Sequence, residues 1–291
     1  MKTSINAHAK INLFLDIVSI REDRYHNILS VMQSVGLHDV ITVDYDSSHE
    51  KKEIKIICDN EKIPCDEKNL AYKAADLLLE YGHVSITIEK NIPSEAGLAG
   101  GSADAAATLI ALNQILGNKY TLDELKAIGK RLGADIPFCI EGGCRIVEGI
   151  GDKMTKCSPM PMLPLVIARM GEGMSTPSAY RKLDEKFNTF NGYSPKRENL
   201  DILVGANEQT DTHSYCKGLF NIFEEVVEAE RPAITEIKTV LKNHGAIGTL
   251  MTGSGTAVFG VFENEANANQ ANEALKKIGA TSFVCYPQAN Q

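Results

Sequence analysis

The stretch 93-PSEAGLAGGSADAAATL-109 constrains this chain more than any other, because it crowds glycine and alanine into one place and carries no Lys or Arg. It follows the strand-like run 84-VSITIE-89 and leads into a helical pattern in which Ala105, Leu109, Leu112 and Leu116 fall on one face. A glycine-rich segment between a strand and a helix is either a plain turn or a cradle for an anion. The cradle is built from backbone N–H groups that no Cβ obstructs, with the positive end of the helix behind them. Such a cradle needs no lysine within the loop. The segment is not a Walker A loop, which ends in Gly-Lys-Ser/Thr, since Gly100-Gly101 is followed by Ser102-Ala103. Taken alone, the loop leaves turn and phosphate cradle equally open.

Two further segments carry chemistry. In 133-GADIPFCIEGG-143, Asp135 lies between a helix end and Pro137, flanked by apolar Ile136 and Phe138. It is a candidate general base, with an Asx-type turn residue as the alternative. The run 10-KINLFLDIV-18 alternates, with Ile11, Leu13, Leu15 and Ile17 on one face and Lys10, Asn12, Phe14 and Asp16 on the other. It reads as a half-buried strand. Lys10 beside Asp135 would hold the carboxylate ionised and orient a hydroxyl, but spacing does not bring the two together, and a solvated surface lysine is the alternative. A second glycine segment, 252-TGSGTAVFG-260, reads as a tight hairpin-like turn.

The rest of the chain sets the frame. Strands are expected at 40–45, 54–58, 165–168, 257–262 and 281–286, and helices at 69–82, 121–133, 215–229, 232–243 and 264–278. Asn69 suits an N-cap, Gly82 a C′ position, Thr121-x-x-Glu124 a capping box, and Thr176-Pro177 the N-cap and N1 of a short helix. The prolines at 159, 161 and 164 place a domain boundary near 156/157. Strands and helices mix without strict alternation, so the class is α+β, in two domains, 1–156 and 157–291. The 291 residues carry 30 Lys+Arg against 38 Asp+Glu, a net charge of −8, which argues against a protein that coats nucleic acid but not against a small anionic ligand. The seven cysteines show no Cys-x-x-Cys pair and read as buried free thiols. No apolar run reaches the about 18 residues that span a bilayer, and His8, Lys10, Asn12 and Asp16 interrupt the start of the chain as a signal peptide. A cytoplasmic protein without a membrane or nucleic-acid partner is expected.

Three segments together resemble a known family. Ile92-Pro93 through Ala106 resembles motif 2 of the GHMP small-molecule kinases, Met251 through Thr256 their motif 3, and 7-AHAKINLFLDI-17 their motif 1, in the same order along nearly the whole chain. Within the family, Ala9-Lys10-Ile11-Asn12-Leu13, Tyr25-His26 and Gly133-Ala134-Asp135-Ile136-Pro137-Phe138 resemble the branch acting on a cytidine-diphosphate methylerythritol in the non-mevalonate route to isoprenoids.

The resemblance implies an N-terminal domain like domain 2 of ribosomal protein S5 and a ferredoxin-like C-terminal domain. It implies ATP with its phosphates on Pro93, Ser94, Glu95, Ala96, Gly97, Leu98, Ala99, Gly100, Gly101, Ser102 and Ala103, and Mg²⁺, for which Ser102 is a candidate contact unless it only caps the helix. Asp135 would take the proton of the 2-hydroxyl, with Lys10 holding Asp135 and the hydroxyl and Asn12 close by. Tyr25 and Tyr180 would stack on the cytosine, His26 would bond its edge, and Gly253, Ser254 and Gly255 would form the wall. A homodimer is a candidate assembly. The alternatives are a GHMP kinase for another alcohol, such as mevalonate or homoserine, and an inactive binding protein of the same fold. The sequence departs from the family in Arg24, where glycine is usual, and in Ala99 and Ala103. If position 24 needs a positive φ, Arg24 is strained there.

Overall fold

The alternation at 10–18 belongs to a longer strand than its apolar core suggests. In the computed structural model, which describes residues 1–188, 190, 192–206 and 210–288, β1 runs Lys2–Ile20 and pairs antiparallel with β2, His26–Asp46. The central stretch of β1 is buried on both faces: Lys10, Asn12, Phe14 and Asp16 are no more than 4% exposed. Lys10 is therefore a buried lysine and not a solvated one.

One edge of β2 meets β1 along its length. The other is shared, Val40–Asp46 pairing with β4 (His83–Glu89) and Ile28–Gln33 with β5 (Cys144–Gly149). The strand β3 (Glu53–Cys58) joins β4 in parallel. Between those two strands lies α1, Leu70–Leu78, whose N-cap Asn69 accepts from the Ala71 N–H. It ends four residues before Gly82, whose φ of 91° turns the chain into β4. The strand β6 (Lys153–Lys156) extends the sheet beyond β5. Helices α2 (Gly100–Ile115), α3 (Leu122–Lys130) and α4 (Ile136–Glu141) complete this part, and the capping box at Thr121/Glu124 is formed. In α2 the residues Ala103–Leu109 are all buried, so the middle of the helix lies inside the core and shows no single apolar stripe, while Gly101 and Gln114 near its ends are exposed.

The remainder builds a four-stranded antiparallel sheet in the order β11-β7-β10-β9, from β7 (Leu165–Arg169), β9 (Gly248–Met251), β10 (Val258–Val261) and β11 (Thr281–Cys285). The helices between β7 and β9 are α5 (Thr176–Lys186), α6 (Arg197–Val204), α7 (Thr212–Cys216), α8 (Glu224–Val227) and α9 (Pro232–Asn243), and α10 (Glu265–Lys277) joins β10 to β11. The succession of strand, helices, two strands, helix and strand is the βαββαβ pattern of ferredoxin-like folds. The 156/157 boundary falls at the end of β6. Ser175, not Thr176, is the N-cap of α5.

The helix expected over 215–229 is not continuous. Residues Phe220–Asn221 form a short strand, β8, that pairs in parallel with Phe14 and Leu15 of β1. Gly218 packs so closely on Asn199 and Leu203 that a Cβ would stand 2.8 Å from a backbone oxygen and 2.7 Å from a leucine carbon. Asn221 turns its side chain to the carbonyls of Met251 and Gly253, at 2.7 and 2.8 Å. These long-range partners outweigh local helix propensity. All seven cysteines are free, but Cys65 is exposed and Cys58 and Cys157 are only half-buried, contrary to the expectation of burial.

Candidate active site

The three singled-out segments meet around one cavity of about 640 Å³, lined by Lys10, Asn12, residues 92–102, Asp135, Tyr180 and residues 253–255. Backbone contacts hold them together. The Lys10 N–H donates to the Leu98 carbonyl at 3.2 Å, and the Ala257 N–H to that of Ala96 at 3.1 Å. The Asn12 N–H donates to the Thr252 hydroxyl at 2.9 Å. The segment 252–257 is the hairpin turn between β9 and β10, as expected, and its Gly253 packs against Gly97. A Cβ on Gly97 would lie 2.1 Å from the Thr252 carbonyl oxygen, so only glycine fits this crossing.

The loop enters α2 in a conformation suited to an anion. Glu95, Gly97 and Ala99 have φ of 52°, 75° and 58°. Ala99 stands at the N-cap of α2 in the left-handed region, with no side-chain cap. A non-glycine residue there costs about 1–2 kcal/mol. Ser102 therefore does not cap the helix, but its place on the cavity wall leaves its hydroxyl free to serve a ligand. The helical bond across the cap runs from the Ala103 N–H to the Ala99 carbonyl at 2.9 Å. The first-turn N–H groups ahead of it are those that a helix leaves for other acceptors. A Cβ on Gly101 would meet only Leu70, at 3.7 Å, because this residue faces the cavity. Ala103 is 2% exposed and does not line the cavity, which removes it from the expected contact set.

Lys10 and Asp135 both face the cavity, but no ion pair joins them. The Lys10 ammonium donates instead to Asn12 Oδ1 at 2.6 Å. Asn12 Nδ2 donates to the Ser30 hydroxyl at 2.9 Å, and that hydroxyl to the Phe14 carbonyl at 2.6 Å. This relay fixes the amide flip of Asn12 so that its oxygen faces the lysine. Asp135 occupies the N-cap position of α4 without a side-chain cap bond, so the Asx-turn alternative is not what its carboxylate does. Cys139 lies beneath both groups. Burial, then the charge of Asp135, push its thiol well above the usual range, so it stays neutral.

The expected cytosine end is only partly assembled. Tyr180 lines the cavity and burial raises its phenol to about 12. His26 and Tyr25 lie off the cavity wall. The His26 ring packs on Tyr180, with centroids 4.6 Å apart, and its Nε2 is 2.7 Å from Asp184 Oδ1. Tyr25 is 65% exposed. Arg24 has a φ of 66°, the strained conformation that a glycine would adopt freely.

Several partners in the site carry no signal of their own in the sequence. Ser30 and Asn221 orient residues of the three motifs, as Thr252 does from within the second glycine segment. Asp39, Lys90 and Asp104 form a buried cluster against the glycine loop, and Lys90 and Asp104 also border the cavity. Lys90 Nζ lies 2.5 Å from Asp39 Oδ2 and 2.8 Å from Asp104 Oδ2. Burial raises the Asp104 carboxyl to about 7, against the pull of Lys90 and with the help of Asp39.

A nucleotide-sized cavity walled by a glycine cradle, a lysine and a carboxylate defines a phosphoryl-transfer class, and comparison with known proteins gives the family. Residues 69–143 match the GHMP kinases N terminal domain and residues 203–281 the GHMP kinases C terminal domain. The chain belongs to the GHMP kinases, which are small-molecule kinases. A protein of Caldicellulosiruptor saccharolyticus named 4-diphosphocytidyl-2-C-methyl-D-erythritol kinase is 42% identical over 276 residues, 94% of this chain and 92% of its own. A crystal structure of 4-(cytidine 5′-diphospho)-2C-methyl-D-erythritol kinase superposes with a TM-score of 0.79 at 29% identity, covering 99% of this chain and 100% of that one. The homoserine kinase of Cytophaga hutchinsonii, 21% identical, shares the fold with a TM-score of 0.76, covering 100% of this chain and 95% of that one. Among the described residues no helix is long and apolar enough to cross a membrane.

Proposed function

We propose that this chain transfers the γ-phosphoryl group of ATP to the 2-hydroxyl of 4-diphosphocytidyl-2-C-methyl-D-erythritol, a step in the non-mevalonate synthesis of isoprenoid precursors. The observation that carries the reading is the 42% identity, across nearly both full lengths, to a protein named for that activity. The cavity supports it, because Lys10, Asn12 and Asp135 line the same cavity as the glycine loop.

Phosphoryl transfer asks for alignment and charge stabilisation more than for covalent chemistry. The N–H groups at the start of α2 and the helix dipole cradle the phosphates of ATP, which enters as a substrate. Asp135 accepts the proton of the 2-hydroxyl as its oxygen attacks the γ-phosphorus. Lys10, aimed by Asn12, holds the hydroxyl and faces the charge that develops on the transferred group. Tyr25 and Tyr180 take the faces of the cytosine and His26 its edge. For that, a base must come between Tyr180 and the exposed loop bearing Tyr25. Gly253, Ser254 and Gly255 close the wall beside the reacting groups, and the Ser254 hydroxyl is held 2.9 Å from that of Thr176.

Among the described residues there is no cluster of three or more His, Cys, Asp or Glu suited to a metal. Mg²⁺ in kinases is carried largely by substrate phosphates with few protein ligands, and the Ser102 hydroxyl on the cavity wall would be its contact here. When bound, the ion neutralises charge on the phosphates.

ATP consumption with the cytidylyl substrate beside mevalonate, homoserine and galactose tests the reading. Turnover of the first alone is expected. Turnover of mevalonate or homoserine in its place would assign the chain to another branch of the family, and no turnover with any of them would favour a binding role.

A further inference from the structure

The glycine loop lacks a lysine, yet an ammonium stands against it, largely buried at the border of the same cavity. A Cβ built on Gly100 would lie 3.4 Å from Lys90 Nζ. That side chain is 4% exposed, and its two carboxylate partners, Asp39 and Asp104, are 0% and 4% exposed. The three residues come from separate parts of the fold. Asp39 lies in β2, Lys90 at the end of β4 where the loop begins, and Asp104 in α2 where the loop ends.

Two carboxylates answer the single ammonium, so the cluster carries no surplus positive charge to attract phosphate. What it can supply is position. Asp39 Oδ1 accepts the N–H groups of Asn91 and Ile92, at 2.6 and 2.8 Å, and so fixes the entry to the loop. Lys90 carries that anchor across to Asp104 and so fixes the exit. Buried ion pairs give little net stability, because desolvation offsets the attraction, and specificity of geometry is their better-attested use. Asp104 Oδ1 is buried without a partner, a cost that a cluster serving stability alone has no reason to carry.

We propose that Lys90, clamped between Asp39 and Asp104, is a positioning residue for the nucleotide phosphates, holding both ends of the 91–103 loop so that its N–H groups converge on them. The inference rests on the placing of ATP phosphates on that loop. It predicts a separation between phosphate and base. Nucleotides that use the loop lose affinity when the clamp is removed, and the nucleoside, which has no phosphate, does not.

The test is calorimetric titration of the full chain with ADP and with adenosine, beside the KM values for ATP and for the alcohol substrate. Lys90→Met should weaken ADP by about ten- to a hundred-fold, the scale of a small misplacement of binding groups. Adenosine affinity and the KM of the alcohol should stay within about two-fold. If Lys90→Met does not fold, the triple variant Asp39→Asn, Lys90→Met, Asp104→Asn replaces the cluster with neutral groups and leaves no unpaired charge, and the same split is expected. Unchanged ADP affinity in a folded variant, or equal losses of ADP and adenosine, would overturn the clamp. Gly101→Val separates this from the parent reading. If it too leaves ADP affinity unchanged, the phosphates lie elsewhere. If it abolishes ADP binding while loss of the clamp does nothing, only the role of Lys90 is wrong.

Discussion

At the scale of single residues, the site turns on groups whose environment departs from what their type suggests. Lys10 is 4% exposed and its ammonium gives one of its three donors to Asn12, while the Asp135 carboxylate has no cap to make. A carboxylate left without a structural task, on the wall of a cavity, is available for proton transfer. Asp135→Ala should keep the fold and lower kcat by about 10²- to 10⁴-fold, the usual share of a general base. Steady-state turnover with a matched melting curve checks this, and near-normal turnover would remove Asp135 from the role. Tyr25→Ala should raise the KM for the cytidylyl substrate by the equivalent of about 1–3 kcal/mol, the worth of one stacked base, with kcat little changed. An unaltered KM would show that the base does not reach this exposed loop. The chemical groups were legible in the sequence because their local patterns are unusual: a lysine inside an apolar alternation, an aspartate wedged before a proline. Their partners were not. Ser30 is an ordinary residue until β1 brings Asn12 against it, and Thr252 stood out only as part of a glycine segment, not as the partner of Asn12. The link expected between Lys10 and Asp135 gave way to Asn12, two residues along the same strand, because a neighbour on one face of a strand is already in reach.

At the scale of elements, the two glycine segments divide their glycines between different tasks. Gly101 is open to the cavity, and Gly97 is locked against Thr252 and Gly253. The same change therefore has different results at the two positions. Gly101→Val should fold normally and lose ATP, because its branched side chain enters the space beside the first-turn N–H groups of α2. Thermal melting beside nucleotide titration checks this, and wild-type ATP affinity would move the phosphates off the loop. Gly97→Ala should instead destabilise the whole chain by about 3 kcal/mol or more, since its Cβ meets a backbone oxygen and its φ of 75° is unfavourable for alanine. A Gly97→Ala protein that melts like wild type would show that the two segments are not packed as described. Sequence pattern found the strand, loop and helix here because glycine and periodicity are local signals. It misread 215–229 as one helix because the forces that break it, the pairing of β8 with β1 and the bonds of Asn221, come from residues distant in the chain.

At the scale of the whole molecule, the cavity is walled by residues before and after the 156/157 boundary, and β1, a strand of the seven-stranded sheet, packs into both apolar clusters of the chain. Its Ile11 and Leu13 belong to the larger cluster, which also takes Ile167, Leu250 and Phe259 from the four-stranded sheet, and its Leu15 and Ile17 to the smaller, with Val166, Met251 and Val258. The strand β8, far along the chain, adds to the first sheet beside Phe14 and Leu15. Asn221 in that strand reaches across to the Met251 and Gly253 carbonyls and also accepts the Phe223 N–H at 3.0 Å. One side chain thus joins the first sheet to the hairpin that walls the site. The prolines at 159, 161 and 164 led to an expected division at 156/157, but nothing in the spacing of residues revealed that the two apolar clusters would share strands such as β1. The consequence is that folding and the site should be coupled. Asn221→Ala strands two buried carbonyls and one N–H, and should lower stability by about 2–4 kcal/mol. Because the wall at 253–255 is then untied, the KM values for both substrates should rise while Asp135 chemistry, read from the pH dependence of kcat, keeps its shape. Urea unfolding should remain a single transition by far-UV circular dichroism and by tyrosine fluorescence, the chain having no tryptophan. Two separated transitions in the wild type would show that the cores fold independently and that β1 does not bind them into one unit.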